Sequence, residues 1–422
     1  MKNHKNEIES TKNDFLPQDI IKFRKIEKTF LERCRQFGYQ EIKTSTIEPL
    51  HIFTATGALA PELLKKVYSF LDWGGWSRER VALRADSTIS AARYYLDNLK
   101  GNSHVKVCYI ENQFRRGDIG QEVSERWQLG MENIGDDSSF SDVEIIFIAL
   151  DTLKAAGFDT TYLHLSFPLI IIECVNIIFK EEDRKKVLGL IKDKRYDDIK
   201  SLGEKDRNLD ILFRLLQFKG TNASYLNNLK SDFDKSENIQ QYLNRFREIC
   251  ILLDRLNCSY EINFSLSENF DYYTGIQFEV LSVPQKRSDR DVLCAGGRYD
   301  NLISTLGGLN KEIPSVGFAL NVKNMIDLMH TSQDNLQNIG ITIKNINDQN
   351  IKTGQYLCNK LNRLGFISRL SFMEIEKDKY GDYGLIIEVD HEKFKDGYNV
   401  IHSQKIGKPL LKNIFGESSY NE

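Results

Sequence analysis

Between about residue 180 and residue 257 the chain changes its period. Leu209, Leu212, Phe213 and Leu216 recur at helical spacing before Gly220, and Ile239, Leu243, Phe246 and Cys250 recur in the same way. The flanks instead carry short strand-like segments. VKVCYIENQF and ERWQLGMENIG come before the block, and SYEINFSL, FDYYTGIQFEVL and IPSVGFAL come after it. A charged helical block between strand-rich stretches reads as an insertion rather than as the main core.

The rest of the chain is organised around that interruption. Residues 17–37 carry apolar residues at helical spacing and stop at Gly38. YQEIKTSTIEPL and VALR read as strands, and ADSTISAARYYLDNL as a turn entering a helix. FPLIIIECVNIIF, too short for a membrane span and carrying Glu173, reads as a buried helix with a proline near its first turn. NVKNMIDLM makes a helix with Val322, Met325, Ile326 and Met329 on one face. After the polar HTSQDNLQN, residues 339–400 alternate strand and helix, so 335–422 reads as a small separate α/β domain and 15–330 as the core. Residues 1–14 read as a polar tail without the apolar run of a secretory signal.

Several function classes are excluded. A formal charge of −3 gives no global attraction to nucleic acid or an anionic membrane. The seven cysteines form no CxxC pair, which suits a reduced, cytoplasmic compartment better than a disulfide framework or a zinc site. There is no HExxH, Walker A or Rossmann glycine pattern, so no metal or cofactor is expected.

Period-two alternation selects the candidate site. In RWQLGMEN it places Gln128, Gly130 and Glu132 on one face, with a gap at the glycine that could admit a small polar ligand. A carboxylate there attracts an amino group; a merely solvated face fits the pattern too. In FDYYTGIQFEV, read as a strand, Asp271, Tyr273, Gly275 and Gln277 share one face, and Tyr272 lies on the other. Such tyrosines suit a pocket wall, or are ordinary strand residues. In LRADST, Asp86 or Ser87 stands where a helix cap belongs, with Thr88 next; Asp86 could instead meet a ligand ammonium. Arg115 and Arg116 end a strand, and arginine forks onto phosphate or carboxylate. GGRYDNL reads as a tight turn that could bring backbone close to a ligand.

Taken in order, LRADST, FRR…QLGMENIG, DYYTGIQFEV, GGRYDNL and SVGFALNVKNM resemble the class II histidyl-tRNA synthetase core over most of residues 15–330. The resemblance implies an α+β fold: a class II aminoacyl-tRNA synthetase-like antiparallel sheet flanked by helices, with the helical insertion and the small C-terminal α/β domain. It implies a histidine site in which Asp86, Gln128 and Glu132 meet the α-amino group, Thr88 lies beside them, and Tyr272 and Tyr273 surround the side chain. Arg115 matches the second-motif arginine that meets phosphate and carboxylate.

The departures bear on catalysis. Glu268 stands where synthetases carry an arginine, Asn324 replaces the arginine that clamps ATP phosphate, and Asn321 replaces a glycine beside the nucleotide. Gly117 takes the place of an acidic residue in the second motif, and Ser45 that of the first-motif proline. Cations aimed at a developing charge are usually the largest catalytic term, so these departures imply that the phosphate chemistry is lost. FLPQDI, TIEPLHIF and LRAD also resemble the ATP phosphoribosyltransferase regulatory subunits. That resemblance implies a non-catalytic partner of the short-form catalytic subunit in the first step of histidine biosynthesis. It implies histidine as the effector and a homodimer within a hetero-oligomer. The C-terminal domain resembles a reduced anticodon-binding domain, which keeps two alternatives open: a divergent histidyl-tRNA synthetase, or a histidine-sensing or tRNA-binding paralogue.

Overall fold

The computed structural model describes residues 14–54, 64–72, 80–116, 124–202, 207–230, 233, 236–266, 273–283, 291–329 and 338–403. Contacts divide the chain into two compact units, Met1–Met329 and His330–Glu422.

The first unit is built on a nine-stranded sheet. Its strands are β1 (Gln40–Glu41), β5 (Val105–Arg115), β6 (Ser124–Ile134), β7 (Tyr162–Ser166), β8 (Lys219–Gly220), β9 (Tyr260–Asn263), β10 (Gln277–Leu281), β11 (Val292–Arg298) and β12 (Ser315–Asn321), ordered β1-β5-β6-β12-β11-β10-β7-β9-β8. The centre, from β5 to β7, is antiparallel, while the β1–β5 and β7–β9 pairs are parallel. A second sheet pairs β2 (Ile47–Pro49) and β3 (Ser69–Leu71) with β4 (Arg80–Leu83). This is the α+β arrangement, a largely antiparallel sheet flanked by helices, expected from the ordered motifs.

Alternation divides the large sheet into two faces. Cys108, Leu129, Met131, Phe278, Val280, Cys294, Phe318 and Leu320 are buried on one side. Over them pack α1 (Pro17–Gln36), α3 (Ser139–Ala156), α4 (Pro168–Ile178) and α6 (Glu237–Arg255) in a single apolar cluster. Helix α1 follows its sequence signals: Pro17 opens it, Asp19 reaches back to the Leu16 amide at 3.1 Å, and Phe23, Ile26, Phe30 and Cys34 face the core. The turn after α1 needs Gly38, whose φ is +79°. The opposite face of the sheet carries polar and small side chains, and α2 (Ser87–Tyr94) stands at its margin.

Four local expectations change. The stretch YQEIKTSTIEPL is two strands in different sheets. Between them the Thr44 hydroxyl donates to the Glu111 carboxylate at 2.8 Å, and Arg84 donates to the Ser45 carbonyl at 2.9 Å. The helical block is not set apart from the main core. Val187, Ile191, Leu212, Leu243 and Phe246 belong to the same cluster as the sheet, and β8 within the block pairs with β9. GGRYDNL is not a turn: Gly296 to Arg298 complete β11, because a Cβ at Gly296 would lie 2.3 Å from the Gly317 carbonyl. In DYYTG the strand starts only at Gln277. The chain bends at Thr274 and Gly275, where the Thr274 hydroxyl accepts from the Asp300 amide at 2.8 Å.

The second unit has a four-stranded sheet, ordered β14 (Ile367–Ser371), β13 (Asn338–Ile343), β15 (Leu385–Val389), β16 (Tyr398–Ser403). Its first three strands are parallel and β16 is antiparallel. Helix α8 (Asp348–Arg363) buries Leu357 and Leu361 against Ile339, Ile341, Ile343 and Ile387. Between α6 and α8, helix α7 (Val322–Leu328) closes the first unit. Among the described residues no helix is long and apolar enough to cross a membrane.

Candidate functional site

Partners in an antiparallel ladder point to the same face. Gln128 lies between Glu111 and Asn321, Gly130 between Tyr109 and Ala319, and Glu132 between Val107 and Gly317. Gln128, Gly130 and Glu132 therefore share one face with the polar residues of β5. The space above Gly130 does not admit a ligand, because the Tyr109 ring fills it. A Cβ at Gly130 would lie 2.2 Å from that ring.

Glu132 is the focus of the face. It is 1% exposed, accepts from the Tyr109 hydroxyl at 3.0 Å, and accepts from the Tyr299 hydroxyl. The Thr88 hydroxyl is 3.3 Å from that of Tyr109. A Cβ at position 317 would meet the Glu132 carboxylate, so β12 needs Gly317 there. Burial pushes the Glu132 carboxyl up to about 8, while hydrogen bonds from Tyr299, Tyr109 and Thr88 oppose the shift. In this state the group is a neutral acid, and an arriving cation would favour its ionised form, the proton passing to solvent.

Asp86 has two tasks. Its Oδ1 caps α2, accepting from the Thr88 and Ile89 amides at 3.0 and 3.3 Å, which is the capping role open to it in the sequence. Its Oδ2 pairs with Arg115 Nη2 at 3.1 Å, and Arg115 Nε donates to the Ala85 carbonyl at 2.7 Å. Desolvation lowers the Arg115 guanidinium, and Asp86 counters this. The Gln128 carboxamide accepts from Gln113. Tyr273 arches over Gly297, where a Cβ would lie 2.7 Å from its ring. Its phenol is pushed up by burial first, then by the charges of Glu279, Asp86 and Glu132. Tyr272, Glu268 and Gly117 lie outside the described residues.

The structure thus gathers Asp86, Thr88, Arg115, Gln128, Glu132 and Tyr273 at the margin and over the polar face of one sheet. Sequence reasoning missed Tyr109, Gln113, Glu279 and Tyr299. The alternation that selected Glu132 also puts Tyr109, Glu111 and Gln113 on one face of VKVCYIENQF, so that signal was available. Tyr299 was hidden by reading its glycines as a turn. Arg298 fixes the strand end before Tyr299: its Nε donates to Asp142 at 2.8 Å, and its Nη2 donates to the Ser141 hydroxyl at 2.8 Å.

Three carboxylates, Asp86, Glu132 and Glu279, act on Tyr273, and Arg115 is paired with one of them. Such a site suits a cationic group, with the guanidinium at its edge available to an anionic one. At the third-motif position, the Asn324 side chain donates to the Val292 carbonyl at 2.8 Å and its amide donates to Asn321 Oδ1 at 3.3 Å. Among the described residues no cluster of His, Cys, Asp and Glu could hold a metal ion.

A family model described as histidyl-tRNA synthetase matches residues 12–325. An ATP phosphoribosyltransferase regulatory subunit from Dehalococcoides mccartyi is 36% identical over 87% of this chain and 88% of its own. A histidine–tRNA ligase from Methanocaldococcus jannaschii is 32% identical over 95% of this chain and 96% of its own. Among solved structures, an ATP phosphoribosyltransferase regulatory subunit/histidyl-tRNA synthetase from Bacillus halodurans C superposes with a TM-score of 0.76 at 20% identity, covering 92% of this chain and 99% of that one. A histidyl-tRNA synthetase from Nostoc sp. PCC 7120 gives 0.74 at 16% identity, covering 98% and 99%.

Proposed function

The chain belongs to the histidyl-tRNA synthetase family, and we propose that within it the protein is the regulatory subunit of an ATP phosphoribosyltransferase. It binds a short-form catalytic subunit, takes part in the first step of histidine biosynthesis and carries feedback by histidine. The curated relatives of that name support the role and the partner. Histidine binds as a zwitterion on the polar face: its ammonium on Glu132 and Asp86 beside Thr88 and Gln128, its carboxylate towards Arg115, and its imidazole beside Tyr273 and Tyr272. Feedback then requires that histidine bind one arrangement of the complex better than another. The protein acts as a homodimer within the hetero-oligomer.

The observation that carries the non-catalytic reading is Asn324. Its amide supports β11 through the Val292 carbonyl and brings no positive charge where a phosphate clamp would stand. Losing such a cation costs about 3–4 kcal/mol of transition-state stabilisation, or roughly two to three decades of rate. The test is to purify the chain with a short-form phosphoribosyltransferase and to assay turnover with and without histidine. Activation on mixing and inhibition by histidine are expected. No effect of this chain on the catalytic subunit would overturn the reading.

A second reading is a histidine–tRNA ligase, favoured by the match to the Methanocaldococcus jannaschii ligase over 95% of the chain. It predicts histidine-dependent ATP–pyrophosphate exchange by the chain alone, whereas the regulatory reading predicts none above background.

A further inference from the structure

One buried polar atom on the polar face has no partner. Gln277 opens β10, is 4% exposed, and faces the same side as Glu132: the row Gln277, Gly297, Gly317, Glu132 runs across four neighbouring strands. Its Nε2 donates to the Leu266 carbonyl at 3.3 Å. A carbonyl can only accept, so this bond fixes which end of the carboxamide is oxygen. Among the described residues that oxygen, Oε1, is buried without a hydrogen-bond partner. Native proteins satisfy nearly all such atoms, and an orphan needs a reason. Towards Glu132 the neighbour is Gly297, which offers no side chain, and the space above it holds the Tyr273 ring. Gln277 therefore stands one strand, about 4.8 Å, from the glycine that carries the candidate ligand wall.

We propose that Gln277 Oε1 accepts a hydrogen bond from a ring N–H of the bound ligand, which makes Gln277 a specificity-determining residue of this site. The proposal rests on the reading of the polar face as a histidine site. An unfilled acceptor discriminates strongly. A ligand with an N–H gains a bond, and an isostere without one leaves the acceptor buried and unpaired. The ligand-free protein carries the cost of the orphan, so removing it should stabilise the fold while weakening the ligand.

The test compares histidine with 4-thiazolylalanine, whose ring has no N–H, by calorimetry on the full chain and on Gln277→Met, with melting curves of both proteins. The wild type should prefer histidine by at least tenfold. Gln277→Met should lose that preference, bind thiazolylalanine as the wild type does, and melt at a higher temperature without ligand. Gln277→Leu is the second variant should the methionine variant fail to fold. Equal wild-type affinity for the two ligands overturns the proposal, as does a preference that survives both substitutions. A wild type that binds neither ligand overturns the histidine reading itself, and this proposal with it.

Discussion

Two buried carboxylates in the first unit are treated in opposite ways. Asp142, on α3, is clamped by Arg298 at 2.8 Å and Arg245 at 3.0 Å. Glu132, on β6, meets hydroxyls as hydrogen-bond donors, those of Tyr109, Tyr299 and Thr88. Burial raises both groups, but two guanidiniums answer the first, and among the described residues no cation is hydrogen-bonded to the second. A carboxylate that the fold needs comes with its counter-ion. One that lacks it takes up a proton instead, and under the proposed function Glu132 gives up that proton when the ligand's ammonium binds. The same strand end serves both, since Arg298 anchors Asp142 and the next residue, Tyr299, reaches Glu132.

The contrast can be broken most severely at Asp142. Arg298→Met should destabilise the first unit by about 3–5 kcal/mol, the usual cost of stranding one member of a buried pair. It should appear as a lower denaturant midpoint in equilibrium unfolding. A loss below about 1 kcal/mol would mean that Arg245 suffices and the clamp is redundant.

At Glu132 the pattern should invert. Glu132→Gln should fold at least as well as the wild type yet lose about 2–5 kcal/mol of histidine binding, read by calorimetry. Unchanged affinity would remove Glu132 from the site. Smaller is the effect of Gly130→Ala, which puts a methyl into the Tyr109 ring. Overpacking costs about 1–3 kcal/mol and should weaken binding by displacing the phenol from Glu132. An unaltered melting temperature would show that the ring can move freely.

The remaining effect is on pH. The folded Glu132 carboxyl stands near 8, above its ordinary value of 4.5, so the neutral acid is the favoured form. Its contribution to stability is complete below the ordinary value and is lost as pH rises through about 8. The ligand-free melting temperature should therefore fall across that window, and Glu132→Gln should flatten the slope. Histidine binding at pH 7 should also release a proton, seen as a binding heat that varies with buffer ionisation enthalpy. Identical heats in two buffers would deny the coupling.

How far the sequence reached follows from the same residues. Period-two alternation was enough to place Gln128 and Glu132 together, because it depends on the pleat of one strand alone. It failed at Gly130, where the answer lay in the neighbouring strand: the register that sets Tyr109 opposite is a tertiary fact. The two glycines before Arg298 carried a local turn signal, but both pair within the sheet, where Gly317 and Phe278 leave no room for a side chain at Gly296. The bend at Gly275 likewise lies against Arg298, where a Cβ would press at 3.0 Å. The overall architecture was legible because several motifs fell in one order. The helical block read as an insertion, and that it shares the sheet's apolar cluster was not legible, since amphipathic spacing does not say which core a helix joins.

The large sheet has one more lesson, in its outermost strands. Both are only two residues long, Gln40–Glu41 at one side and Lys219–Gly220 at the other. A long bare border invites another chain to add itself by backbone pairing, and with it aggregation. Here each outermost strand itself offers little unpaired backbone to template such growth, and charged Glu41 and Lys219 stand on the two rims.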